Sequence, residues 1–461
     1  MERRPLYFLH SYGCQMNKLD SELVESRLRA AGYERAATEQ DASVVLLNTC
    51  SVRQHAEDRV FSKLGRLRAR KQQQPGLVVG VLGCMAEEHQ RALLERMPHV
   101  DLVVGPSAFG DIDRTVGAAL ERGAARRGWA RPDPAHGDVV TGDGVSGDTI
   151  ERDVRTRPVR SQAFVSVMRG CNMPCTYCIV PSVRGAEVSR PIPVIVDEAQ
   201  RLAADGVTEI TLLGQTVNAY GRDLGPGVTL AALLAALHAI PSLRRLAFIT
   251  SHPNFLSPEL IGAIAELPRL ARYLHLPAQS GSDAVLKTMR RGYTTGRYLA
   301  RVDALLAAAP DVELHSDFIV GYPGETDADF AATRGLMERV RFAQSYVFQY
   351  SPRPGTAAAA LADDVPPAVK LARNHELLAL QERHGLERNR QSVGTVQTVL
   401  VEGSNARQPG RMSGRTPHHR IVHFDAADQE LVGRYVPVRI TTAHPHSLSG
   451  ELVLHGAAAA G

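Results

Sequence analysis

Residues 163–178 read AFVSVMRGCNMPCTYC. A short apolar run, AFVSVMRG, leads straight into a loop with three cysteines, Cys171, Cys175 and Cys178, inside eight residues. No fourth cysteine follows. Structural zinc sites close a tetrahedron with four ligands, and they join a close cysteine pair to a distant pair or to histidines. No other CxxC exists in this chain. Three cysteines on a loop containing Gly and Pro are also unlike cysteines packed in a core. A 4Fe–4S cube fits better. Each of its irons takes one outer ligand, usually thiolate, so three cysteines leave one iron open to something that is not protein. A loop that follows a strand lies at the carboxyl end of that strand, where barrel active sites sit.

Working outward from this loop, short apolar runs alternate with helical patterns. After AFVSVMRG come TEITLLG, RRLAFITS, RYLHLPA, VELHSDFIVG and AQSYVFQYS, with amphipathic stretches such as PVIVDEAQRLAADG and DADFAATRGLMERV between them. Alternation of this kind predicts βα units on a parallel sheet. Six units fall short of the eight of a closed barrel, so residues 161–391 are expected to form a partial (β/α)6 barrel. Residues 392–461 change to short strands with Gly-rich turns, the pattern of a small OB-like β barrel.

The other three cysteines lie upstream, and each ends an apolar run: PLYFLHSYGC (Cys14), SVVLLNTC (Cys50) and LVVGVLGC (Cys84). Each is followed by a helical pattern. Residues 1–128 therefore read as an open parallel α/β domain with three cysteines at strand ends, the edge where such sheets bind ligands. Residues 129–160, rich in Gly, Asp, Pro and Arg, read as a linker, partly flexible. The fold class expected is α/β throughout, with the small β barrel appended.

With 461 residues the chain is too long for one core of ordinary size. A net charge of +4 permits a nucleic-acid partner without requiring one. No apolar stretch approaches the length that spans a bilayer, and MERRPLYFLHSYGC has no apolar run of signal-peptide length. A cytoplasmic location is expected, where thiols stay reduced and cysteines more often bind metal than pair.

The CxxxCxxC after the first strand of a partial barrel resembles the radical S-adenosylmethionine enzymes. The resemblance implies that the open iron chelates the amino and carboxylate groups of S-adenosylmethionine. Reductive cleavage of the sulfonium then gives a 5′-deoxyadenosyl radical. It also implies cofactor contacts at Tyr177, at Gly214 in LLGQ, and at Gly321, Gly324 and Glu325 in DFIVGYPGET. No catalytic residue is expected beyond the cluster ligands.

The order of three-cysteine α/β domain, radical barrel and small β barrel is similar to the methylthiotransferase family over nearly the whole chain. That similarity implies a second 4Fe–4S cluster on Cys14, Cys50 and Cys84, taking part in sulfur delivery. One S-adenosylmethionine would give a methyl group and another the radical. The words SYGCQMN, NTCSVR, RGCNMPCTYCIVP, LLGQTVNAYG, TSHP, HLPAQSGS, SDFIVGYPGET and YSPRPGT resemble the branch acting on tRNA that carries N6-isopentenyladenosine-37. The product expected is the 2-methylthio base. The C2–H of adenine offers neither an acidic proton nor a leaving group, so acid–base or nucleophilic side chains give little purchase and a radical is needed.

The C-terminal barrel resembles the TRAM module, which implies tRNA binding. Its basic stretch NARQPGRMSGRTPHHRIVHF offers Arg407, Arg411, Arg415, His418, His419 and Arg420 as RNA contacts. An electron donor such as a flavodoxin, a sulfur donor and a monomeric chain are further expectations. Two other substrates stay open within the family, a ribosomal protein and threonylcarbamoyl-adenosine in tRNA. An iron–sulfur RNA-binding protein without catalysis is the reading from another class, and it has no use for an open iron.

Overall fold

Strands β1 (Leu6–Tyr12), β2 (Glu34–Arg35), β3 (Val44–Thr49), β4 (Val78–Gly83), β5 (Leu102–Val104) and β6 (Asp138–Val140) form one parallel sheet. This is seen in a computed structural model, which describes residues 4–51, 54–125, 138–140, 152–153, 157, 160–405, 408–426 and 428–453. The described chain falls into two units. One comprises Met1–Pro158, Arg169–Asn172 and Cys178–Val188; the other comprises Val159–Met168, Met173–Tyr177 and Ser189–Gly461.

In the first unit the sheet order is β2-β1-β3-β4-β5-β6. The central strands read VVLLNT and VVGVLG and are buried throughout, as strands covered on both faces must be. Alternation sorts their side chains. Val45, Leu47, Val79 and Val81 pack with Val60 and Leu64 of α2 (Gln54–Gln73) and Leu93 of α3 (Cys84–Arg96). Val44, Leu46, Val78 and Leu82 pack on the other face, with Val24 and Leu28 of α1 (Gln15–Ala30) and Val116 of α4 (Ile112–Ala125). The helix after β1 and the helix after β3 thus lie on opposite faces, so the topology reverses between these two strands. That reversal opens a crevice at their carboxyl ends. Within the stretch read from sequence as a linker, Asp138–Val140 is a strand that extends the sheet; residues 129–137, 141–151, 154–156 and 158–159 lie outside the described residues.

Helix α1 also buries a carboxyl group. Glu22 is nearly inaccessible, with Arg152 Nη2 3.9 Å from Oε2. Burial pushes its carboxyl up to about 7, against the opposing pull of Arg152 and Arg157. A raised carboxyl pKa means the folded chain keeps a proton that the unfolded chain has lost. Stability from this group is therefore full below the ordinary value of 4.5 and falls as the pH rises to about 7. The loss amounts to roughly 3 kcal/mol. Denaturation curves at pH 4.5 and pH 8 should show a smaller decline with rising pH for Glu22→Gln than for the unmodified protein.

The second unit holds six parallel strands: Gln162–Ser166, Glu209–Leu213, Arg245–Phe248, Tyr273–His275, Glu313–Val320 and Gln344–Gln349. They form two three-stranded sheets, linked by a parallel bridge between Leu246 and Leu270. The helices, including Ile192–Ala204, Leu230–His238 and Asp327–Val340, cover one face. This is the partial barrel expected. The long helix Pro367–Arg390 leads to a closed barrel of five strands, Val396–Ser404, Arg411–Arg415, Ile421–Asp425, Ser447–Leu452 and Tyr435–Ala443, in that spatial order. Among the described residues no helix is long and apolar enough to cross a membrane.

Two candidate cysteine-ligated metal centres

Strand register brings the upstream cysteines together. Tyr12 pairs with Thr49, and Thr49 with Gly83, so β1, β3 and β4 end level with one another. Cys14, Cys50 and Cys84 follow these ends by two, one and one residues. The crevice at the topological reversal is therefore lined by thiols. Cys14 starts α1, and its sulfur and its backbone N–H both donate to Asn17 Oδ1, at 3.1 and 3.3 Å. Asn17 Nδ2 donates to Asn48 Oδ1 (3.4 Å), and Asn48 Nδ2 donates back to the Asn17 carbonyl (2.9 Å) and to Ser21 Oγ (3.0 Å). Both asparagines are fully buried. The words GCQMN and NTC thus encode a polar floor beneath the cysteines. Gly83 completes it: its φ is +90°, and a Cβ there would stand 2.4 Å from Asn48 Oδ1.

The electrostatics of Cys14 and Cys84 differ. A hydrogen bond with the Cys50 side chain holds the Cys14 thiol below its ordinary value, against the opposing effect of burial. Burial pushes Cys84 up, and Arg184 opposes this. Arg184 lies on the short helix α5 (Val180–Arg184), and its Nε is 3.1 Å from Cys84 Sγ. Its two terminal nitrogens engage both oxygens of Asp20. Burial works against its charge, but Asp20 and Cys84 outweigh that and keep it protonated. Three converging sulfurs, two in mutual hydrogen-bonding contact and one beside a fixed cation, suit an anionic iron–sulfur cluster with one iron not served by protein.

The downstream cysteines sit on one loop, CNMPCTYC. Cys171 is buried, and its N–H donates to the Gly185 carbonyl (3.1 Å). Around Cys175 the loop is pinned through Thr176. Its N–H donates to the Met289 carbonyl (3.1 Å), its carbonyl accepts from Ala358 N–H (2.8 Å), and its hydroxyl meets Tyr322 OH (2.8 Å). Cys175 Sγ accepts from Arg291 Nη1 (3.3 Å). Arg291 is buried and also donates to Tyr293 OH and to the Pro277 carbonyl. Burial opposes its charge, while Tyr177, Tyr293 and Cys175 hold the proton on. No carboxylate partners Arg291 among the described contacts.

The other expected cofactor residues divide. Tyr177 packs, partly buried, against the apolar cluster that holds Met289, Tyr322 and Tyr350. Gly214 lets the chain pass close to Met168, whose Cγ would lie 2.6 Å from a Cβ there. Gly321 and Gly324 take φ of +69° and +80° in the turn after Glu313–Val320. Glu325 is held within the same turn. Its Oε2 accepts the N–H groups of Gly321 and Tyr322, and its Oε1 pairs with Arg373 at 3.1 Å. These contacts make the Glu325 carboxylate a shaper of the turn.

Much of the basic stretch of the small barrel is engaged within the protein. Arg420 grips Glu313 with two nitrogens and reaches Ser392 Oγ with a third. His419 stacks on Tyr273, ring centroids 4.7 Å apart. The Arg272 N–H donates to the Pro417 carbonyl (2.9 Å). This stretch docks the small barrel against the amino ends of the partial-barrel strands. Arg415 is paired with Glu402 (3.0 Å) and Arg411 with Asp425 (3.1 Å), both one-quarter exposed. Burial lowers the pKa of His418. Arg407 lies outside the described residues. Sequence reasoning missed Arg184 and Arg291. The first had a faint signal, since it stands six residues after Cys178; the second had none.

A CxxxCxxC loop after the first strand of a partial barrel marks a radical S-adenosylmethionine protein, and the thiol-lined crevice marks an added three-cysteine domain. The comparisons agree: residues 165–337 match the Radical SAM superfamily, 390–453 the TRAM domain and 6–105 the Uncharacterized protein family UPF0004. In fold the chain resembles the radical S-adenosylmethionine methyltransferase TsrM from Kitasatospora setae, with a TM-score of 0.51, 16% identity, and coverage of 86% of this chain and 81% of that one. The tRNA-2-methylthio-N(6)-dimethylallyladenosine synthase of Syntrophotalea carbinolica is 42% identical over 97% of this chain and 99% of its own. The same-named protein of Alkalilimnicola ehrlichii is 43% identical over 97% of each. The chain belongs to the tRNA-2-methylthio-N(6)-dimethylallyladenosine synthase family.

Proposed function

We propose that this chain places a methylthio group on C2 of N6-isopentenyladenosine-37 in tRNA. Cys171, Cys175 and Cys178 hold one 4Fe–4S cluster, and Cys14, Cys50 and Cys84 hold the other. The observation that carries this reading is the level ending of β1, β3 and β4, which gathers three thiols separated by tens of residues. The bound clusters and S-adenosylmethionine supply the radical, the sulfur and the methyl group. The chain's own residues hold and shield them. Arg184 and Arg291 set guanidinium N–H groups against the sulfurs of Cys84 and Cys175, and Thr176 fixes the loop between two of the ligands.

The substrate base must leave the anticodon-loop stack to reach such a site. A small electron-transfer protein such as a flavodoxin, a sulfur donor, a monomeric chain and a cytoplasmic setting complete the proposal. The domain bounds proposed are 1–128, 129–160, 161–391 and 392–461.

The test uses anaerobically reconstituted protein with dithionite, S-adenosylmethionine and isopentenylated tRNA. About eight irons per chain, 5′-deoxyadenosine and a 2-methylthio nucleoside by mass spectrometry are expected. Full clusters and 5′-deoxyadenosine with unmodified tRNA would move the substrate elsewhere.

A further inference from the structure

We propose that Arg184 is a positioning residue that raises the reduction potential of the N-terminal cluster and ties that cluster to the chain segment supplying Cys178. The inference rests on Cys14, Cys50 and Cys84 being ligands. Helix α5 begins two residues after Cys178. Ile179 and Val183 pack against Cys84, so this segment covers the sulfur with apolar surface while Arg184 presents Nε to it at 3.1 Å. The far edge of the guanidinium is held by both oxygens of Asp20. Only a planar fork can do both at once; a lysine ammonium has no such geometry.

Hydrogen bonds and positive charge at a cluster's sulfurs favour its reduced, more negative state and so raise its potential. Asp20 pulls the other way, because its carboxylate offsets part of the guanidinium charge. The two residues should therefore move the potential in opposite directions. General damage to the fold does not produce opposite signs from two members of one ion pair.

The experiment uses the full chain with Cys171, Cys175 and Cys178 all changed to Ala, so that the N-terminal cluster is observed alone. Iron is counted, and the midpoint potential is followed by electron paramagnetic resonance during redox titration. The parent should carry about four irons. Arg184→Met should shift the midpoint negative, Asp20→Asn should shift it positive, and Arg184→Lys should fall between the parent and Arg184→Met. If the parent binds no cluster, the assignment of the three ligands is wrong and the inference falls with it. If the parent is loaded and neither variant moves the midpoint, the inference alone is overturned. If Arg184→Met loses its cluster, Asp20→Asn decides: a positive shift supports the role of Arg184, and no shift removes it.

Discussion

Changing Cys50 to alanine is expected to lower the iron content from about eight to about four per chain and to abolish the 2-methylthio product, with 5′-deoxyadenosine still formed. Cys50 follows the middle one of the three level strands and is 1% exposed. Its loss leaves two protein ligands, too few to hold a cube against the solvent. It also frees the Cys14 thiol from the hydrogen bond that chiefly holds its pKa down, so Cys14 becomes a poorer ligand at neutral pH. Removing one small buried side chain costs the fold only about 1 kcal/mol. The chain should stay folded, and the loss is one of chemistry. The CxxxCxxC loop is untouched, so radical formation persists. Methylthiolated tRNA from Cys50→Ala at the unmodified rate would contradict the second centre.

Arg420→Met is expected to destabilise the protein by about 3–5 kcal/mol, because it leaves a buried carboxylate without its cation. The Glu313 side chain is 5% exposed, and both its oxygens face Arg420. Thermal unfolding should report the loss. The salt dependence of tRNA binding, measured where the variant remains folded, should keep its slope. An arginine on a phosphate contributes roughly 0.7–0.9 to that slope. A drop of that size without a change in unfolding would return Arg420 to the RNA surface.

These two residues mark what sequence can and cannot reveal. The cysteines were legible because both signals are local. One is three thiols inside eight residues, and the other is an apolar run that stops at a cysteine. Six strands of the partial barrel were legible for the same reason. The partner of an arginine is a tertiary fact. Arg420 meets a carboxylate 107 residues away, and nothing in GRTPHHR distinguishes that carboxylate from a phosphate. Arg291 stands 116 residues from the sulfur that it contacts. Glu325 was legible as part of a glycine turn, but its answering cation is Arg373, on a helix far downstream. The short strand Asp138–Val140 carries too few residues for a period-2 pattern to register.

The small barrel follows the long helix Pro367–Arg390 and in sequence is appended to the partial barrel. Its placement makes it a keystone. Gln162, Arg245, Tyr273 and Glu313, the first residues of four partial-barrel strands, meet Glu402, the Arg415 carbonyl, His419 and Arg420 in turn. Ending the chain at residue 391 would bare an ion-paired floor, with Glu209 and Arg245 among its members. Grafting a foreign barrel in its place would demand a matching set of charges. The modules of this chain are therefore interchangeable on paper only, and the partial barrel and the small barrel must be inherited together.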